Sequence, residues 1–143
     1  MKYTMLFNNV WCVKNGQLGT IDRIEDAPRF SDPELQSKLA DYFDSGVSIG
    51  TALADFKDHF GSGERTSNEV LTDGTWIWPG HAGYYVRKYG ISPGPEFLEY
   101  VQDRFGIPIE LSRDEFLKVC EETDAEGQKI RDLHTNRDAD AQT

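Results

Sequence analysis

The strongest local constraint in this chain is the run Glu69-Val-Leu-Thr-Asp-Gly-Thr-Trp-Ile-Trp-Pro79. Asp73-Gly74 lies between two β-prone segments, and that dipeptide supplies the positive backbone angles of a tight two-residue hairpin turn. A turn of that length sets Thr72 opposite Thr75, Leu71 opposite Trp76 and Val70 opposite Ile77. Side chains alternate along a strand, so Trp76 and Trp78 share one face, and at least one of them is expected to be buried. Pro79 ends the second strand and suits the start of a helix, where its missing N–H is no loss.

That helix is predicted from Gly80 to Tyr89. Ala82, Tyr85, Val86 and Tyr89 form one stripe, His81, Tyr84 and Lys88 another, and Gly90 is a fitting stop. Upstream, Ser31, Pro33 and Glu34 read as a capping box opening a helix that Gly46 ends. Its apolar stripe is Leu35, Leu39, Tyr42 and Phe43, and its opposite face carries Glu34, Lys38, Asp41 and Ser45. A shorter helix is expected from Thr51 to Phe60, with Ala52, Leu53, Phe56 and Phe60 inward and Asp55, Asp58 and His59 off the stripe. Gly61-Ser-Gly63 follows as a loop. A fourth helix begins near Pro93 to Pro95 under a Ser92 cap and buries Phe97, Leu98, Val101 and Phe105. Ile107 to Leu111 is an extended connector. Ser112 and Glu115 then form a second capping box for a fifth helix, with Phe116, Leu117 and Cys120 inward.

The N-terminal segment reads as strands. Asn8-Asn9 and Asn15-Gly16 are both turn signals, and two working turns make a three-stranded meander. If only the second works, residues 3–13 form one longer, kinked strand. Short antiparallel hairpins or a meander, with about five helices and no β-α-β alternation, make an α+β fold. Residues 1–122 are expected to form a single domain, and 123–143 a polar C-terminal tail, partly helical or mobile.

The chain has 143 residues, enough to bury a core without staples, and a formal net charge of −10. Such a balance repels nucleic-acid phosphate and anionic membrane surfaces and favours a basic partner. Cys12 and Cys120 have no metal or redox spacing and read as buried free thiols. The N-terminus lacks a signal-peptide pattern and no window is long enough to span a membrane, so a cytoplasmic location is expected.

No nucleotide-binding loop or nucleophile elbow is present, and the spacing of His59, His81 and His134 argues against a zinc site. No cofactor and no catalytic residue are assigned. Asp41 and Asp44 lie one helical turn apart, and Asp55 and Asp58 repeat that spacing. If their helices pack as a hairpin, the four carboxylates make an acidic patch suited to Lys and Arg of a basic protein. Tyr84 and His81 are the exposed aromatics expected to add a contact hot spot. Reversing the four aspartates to Lys should then abolish binding. The rival enzyme reading, a small hydrolase, places His59 with Asp55, four residues apart on one helix, or His81 beside the hairpin. A third reading is an adaptor, with homodimerisation through exposed aromatics.

Thr72-Asp-Gly-Thr-Trp-Ile-Trp-Pro79, followed by Tyr84-Tyr-Val86, Tyr89 and Pro95-Glu-Phe97, resembles a pattern in small acidic bacterial proteins. These carry an Asp-Gly-x-Trp-x-Trp-Pro hairpin and a Tyr-Val-x-x-Tyr helix, and some look like immunity proteins of polymorphic toxins. The likeness covers residues 66–101, and Ile91-Ser-Pro-Gly-Pro95 is more elaborate than the family's short Leu-Pro step. It implies a toxin-neutralising protein bound to a basic toxin, and it assigns no catalytic residue. A phage inhibitor of a host defence protein would show the same features.

Overall fold

The Trp-Ile-Trp hairpin forms, and it is the centre of a four-stranded sheet. The computed structural model describes residues 2–11, 23–51 and 56–123. In chain order the strands are β1 (Lys2–Tyr3), β2 (Val47–Thr51), β3 (Phe56–Lys57), β4 (Arg65–Thr66), β5 (Glu69–Thr72) and β6 (Trp76–Pro79). The larger sheet has the order β1-β6-β5-β2, with β1 parallel to β6 and the other two pairings antiparallel. β3 and β4 form a separate antiparallel pair. Four helices, not five, have both ends within the described residues: α1 (Asn8–Trp11), α2 (Pro33–Asp44), α3 (Ala82–Tyr89) and α4 (Pro95–Val101). Residues 113–123 are helical up to the edge of the described chain. The fold class is α+β.

The hairpin turn is longer than its sequence predicts. Thr72 pairs with Ile77, Leu71 with Trp78 and Val70 with Pro79, so the turn takes up residues 73–76. The cause is side-chain chemistry. One Asp73 oxygen accepts the N–H of Thr75 at 3.0 Å and of Trp76 at 2.8 Å. Thr72 Oγ1 donates to the Trp76 carbonyl at 2.7 Å and accepts from the Gly74 N–H at 3.0 Å. These bonds satisfy the turn internally and displace the two-residue form. A slip of two residues keeps every side chain on its face, and both tryptophans are buried. Trp78 Nε1 donates to the Phe43 carbonyl at 3.0 Å, one of the α2 C-terminal carbonyls with no intrahelical partner. The Phe97 ring stacks on Phe43 at 5.1 Å and meets Trp76 edge-on at 5.2 Å, closing an aromatic core.

Other expectations shift for identifiable reasons. The N-terminal segment makes no meander among the described residues. Lys2–Tyr3 adds to β6 in parallel, while Asn8-Asn9 opens the single turn of α1 instead of a hairpin. The Asn15-Gly16 turn and Cys12 lie outside the described residues. Asp32, not Ser31, caps α2, because Pro33 takes the first helical position and leaves the preceding residue to accept the N–H of Glu34 and Leu35. The helix expected over Thr51–Phe60 is absent from the described part of that span. Thr51 ends β2, where β-branched Val47 and Ile49 favour a strand, and Phe56 pairs with Thr66 in β3. Gly94 rather than Ser92 precedes α4 at its cap. The Ser112–Glu115 capping box forms as predicted, with reciprocal bonds of 3.3 and 3.1 Å. In the helix it opens, Val119 is buried while Leu117 is exposed and Cys120, a free thiol, is half-buried.

α2 and α3 pack closely against each other. Gly83 permits the approach, since a Cβ there would lie 3.0 Å from the Ala40 carbonyl oxygen. Gly46, between α2 and β2, sits against the indole of Trp78. A Cβ at Gly46 would come within 2.7 Å of Trp78 Cζ2 and 2.9 Å of Leu71 Cβ. Overpacking of that kind costs about 1–3 kcal/mol. Gly46→Ala is therefore expected to lower the urea midpoint by a corresponding amount, and an unchanged midpoint would refute this packing.

Candidate interaction surface

The four aspartates predicted to form one patch have different environments. Asp41 and Asp44 project from α2 and together hold Arg87 of α3, each at 2.9 Å. That fork raises the Arg87 pKa, chiefly through its hydrogen bond to Asp44. Asp55 lies outside the described residues. Asp58 is buried at the β3–β4 loop, where it accepts the Phe60 N–H at 2.8 Å, the Tyr84 hydroxyl at 2.7 Å and the Tyr89 hydroxyl. Burial alone would raise the Asp58 pKa, but hydrogen bonds from Ser62, Tyr89, Tyr84 and Phe60 together hold it well below the usual carboxylate range. The fourfold reversal to Lys would break this anchor, so a loss of binding on that variant would report misfolding.

The two aromatic candidates are also parts of the scaffold. The Tyr84 hydroxyl lies 2.7 Å from both Asp58 and Glu64, and Lys88 pairs with Glu64 at 2.7 Å. Burial pushes the Tyr84 phenol up, and the two carboxylates add to it, to about 12. His81 is the sharper correction. It was expected on an exposed stripe, yet it is 1% exposed, with its ring against Phe56 and Tyr85. Residue 81 sits at the α3 N-cap, directly after β6, and its ring packs inward against Phe56 and Tyr85.

Among the described residues His59 meets the carboxylate of Glu25, while Asp55, its expected partner, lies outside them. Glu25 also accepts the Asn9 side-chain N–H and the Arg23 guanidinium. The His59 hydrogen bond is the main reason that the Glu25 pKa falls to about 2. His134 is outside the described residues. Among the described residues no cluster of His, Cys, Asp and Glu is arranged to hold a metal ion, and no helix is long and apolar enough to cross a membrane.

An open concave surface lies between α2 and the connector 102–110, and a separate depression of about 500 Å³ lies beside Gly74 and Val119. Three adjoining depressions of about 370, 520 and 390 Å³ run along α2 and share walls at Lys38 and Phe105, then at Tyr42, Ile107 and Pro108. Five exposed acids line them: Asp32, Glu34 and Asp41 from the α2 side, and Asp103 and Glu110 from the connector. The exposed cations are Lys38, already paired with Glu34 at 3.2 Å, and Arg104, whose guanidinium lies 4.2 Å from the Tyr100 ring centroid. Asp73 forms the far wall. Its outer oxygen accepts the hydroxyls of Tyr42 at 2.6 Å and Tyr100 at 2.9 Å. Burial pushes the Tyr42 phenol up, and its bond to Asp73 adds to this.

Of the predicted patch, Asp41 alone among the described residues belongs to this groove. Glu34 was read on the polar face of α2 without being singled out for contact, and Asp32, Asp103 and Glu110 escaped because their meeting across the groove is a long-range event. One signal was present: Ile107-Pro-Ile109 is an apolar triplet in a connector, flanked by Asp103 and Glu110. No family model matches the chain, and no curated protein or solved structure matches it.

Burial lowers the His81 pKa from 6.5 to about 4. The folded state therefore resists a proton that the unfolded chain accepts, and stability present above pH 6.5 is lost as pH falls towards 4. A shift of that size corresponds to about 3 kcal/mol. Urea denaturation at pH 7 and at pH 4.5 is expected to show a stability loss in the wild type that His81→Gln largely lacks. Equal losses would contradict the assignment.

Proposed function

We propose that this chain is a binding protein that neutralises a basic protein, in the manner of an immunity protein against a bacterial toxin. The observation that carries this reading is the charge balance of the α2–connector groove, which five exposed carboxylates line with Lys38 and Arg104. With Glu34 paired to Lys38 and Asp41 to Arg87, Asp103 and Glu110 remain without an ion pair among the described residues. Like charges focused in one concavity raise the local concentration of an oppositely charged surface and speed encounter. Proteins that act on nucleic acid are basic because their substrate is anionic, so an acidic groove is complementary to such a partner. The resemblance of residues 66–101 to immunity-type proteins agrees with this reading. The hydrogen-bonded carboxylates of Asp58 and Asp73 fit it as well, since they brace a rigid surface.

The test separates local from overall charge. The partner is captured from the native host, identified, purified and titrated against two variants of equal net charge. Glu34→Lys, Asp103→Lys and Glu110→Lys together alter the groove, while Glu69→Lys, Glu96→Lys and Glu121→Lys alter exposed acids outside its lining. Three reversed contacts at about 1 kcal/mol each imply roughly a hundredfold weaker binding for the groove variant. The control variant should lose far less. Equal losses, or a captured partner that is not basic, would remove the groove from the account.

A further inference from the structure

The middle of the groove is its least polar part. Tyr42, Phe105, Ile107 and Pro108 line it, with Lys38 and Asp41 at the rim. Ile107 is 62% exposed, the most exposed large hydrophobic residue among the described ones. Acids flank this apolar centre at both ends, Asp32 and Glu34 on one side and Asp103 and Glu110 on the other. We infer that the groove seats one amphipathic, basic helix of the partner. This rests on the proposed reading that the partner is a basic protein, and it adds which part of that partner docks.

Three features select a helix. First, the α2 wall presents Glu34, Lys38, Asp41 and Ser45. These positions repeat at helical spacing over about 17 Å, the length of three turns of an occupant lying alongside. Second, α2 has no free strand edge to offer, so an added strand would find few main-chain partners along it, whereas a helix brings its own hydrogen bonds. Third, the charge pattern places an apolar centre between acidic ends. An occupant with apolar side chains at i, i+3 or i+4, and i+7, flanked by Lys and Arg, complements both. A second copy of this chain fits worse, since each carries a net charge of −10.

The probe is a fluorescent peptide of about 18 residues, made of Leu and Lys with helical amphipathic spacing. A peptide of the same composition in scrambled order is the control. Wild-type protein is expected to bind the amphipathic peptide roughly tenfold more tightly than the scrambled one, and Ile107→Ser should erase that difference. Ile107 is exposed, so its replacement leaves the fold intact. Equal affinity for the two peptides, or an Ile107→Ser protein that binds like the wild type, would overturn the helix proposal. A doubled mass in solution that reverts on Ile107→Ser would also overturn it, by giving the groove to a second copy. The combined reversal of Glu34, Asp103 and Glu110 should weaken both peptides. If it weakens neither while Ile107→Ser still acts, the charge-based reading fails and the groove stands.

Discussion

The carboxylate of Asp73 is the joint on which the rest of the structure depends. One oxygen closes the β5–β6 turn through the N–H groups of Thr75 and Trp76, and the other accepts the hydroxyls of Tyr42 and Tyr100. A single side chain thus links the central hairpin to α2, which bears Tyr42, and to the segment of α4, which bears Tyr100. Hydrogen bonds to a charged acceptor contribute about 1.5–3 kcal/mol each. The four bonds also fix where the helices stand over the sheet. With α2 and α4 so placed, Phe43 and Phe97 close on Trp76 and Trp78, and Tyr42 becomes a wall of the groove.

Asp58 repeats the device at the β3–β4 loop. It holds the β3–β4 loop to α3 through Tyr84 and Tyr89, as Asp73 holds the hairpin through Tyr42 and Tyr100. In a chain with a net charge of −10, these two carboxylates each bind two tyrosine hydroxyls. Asp103 and Glu110 instead face solvent without an ion pair among the described residues. The division gives the acidity two roles. Inward carboxylates define the scaffold, and five of the outward ones line one concave face. Neither role follows from net charge alone.

Much of this was legible in the sequence where the signal is local. The hairpin, the shared face of its tryptophans, the Ser112–Glu115 box and the Gly90 helix stop all depend on residues a few positions apart. So does the polar face of α2, whose Glu34, Lys38, Asp41 and Ser45 now form a groove wall. The failures are long-range. The hairpin register depends on Asp73 binding turn amides while tyrosines from two distant helices hold its other oxygen. Asp58 looked like a solvated helix residue because the segment 51–60 has helical apolar spacing. Its strands are decided by pairing with β5 and β4, which periodicity does not report. His81 follows a helical stripe in sequence yet turns inward at the α3 cap. In the connector half of the groove Phe105 was read on the apolar stripe of the fourth helix, and beyond it the chain has no period, so its apolar triplet is the signal there.

A double-mutant cycle on Asp73→Asn and Tyr42→Phe, read by urea denaturation, tests the joint most directly. A hydroxyl bound to a carboxylate in a part-buried site predicts that the two losses are not additive, with a coupling of about 1.5 kcal/mol or more. Additive losses, with a coupling near zero, would mean that Asp73 does not link the hairpin to α2, and the account of both the core and the groove would fail with it.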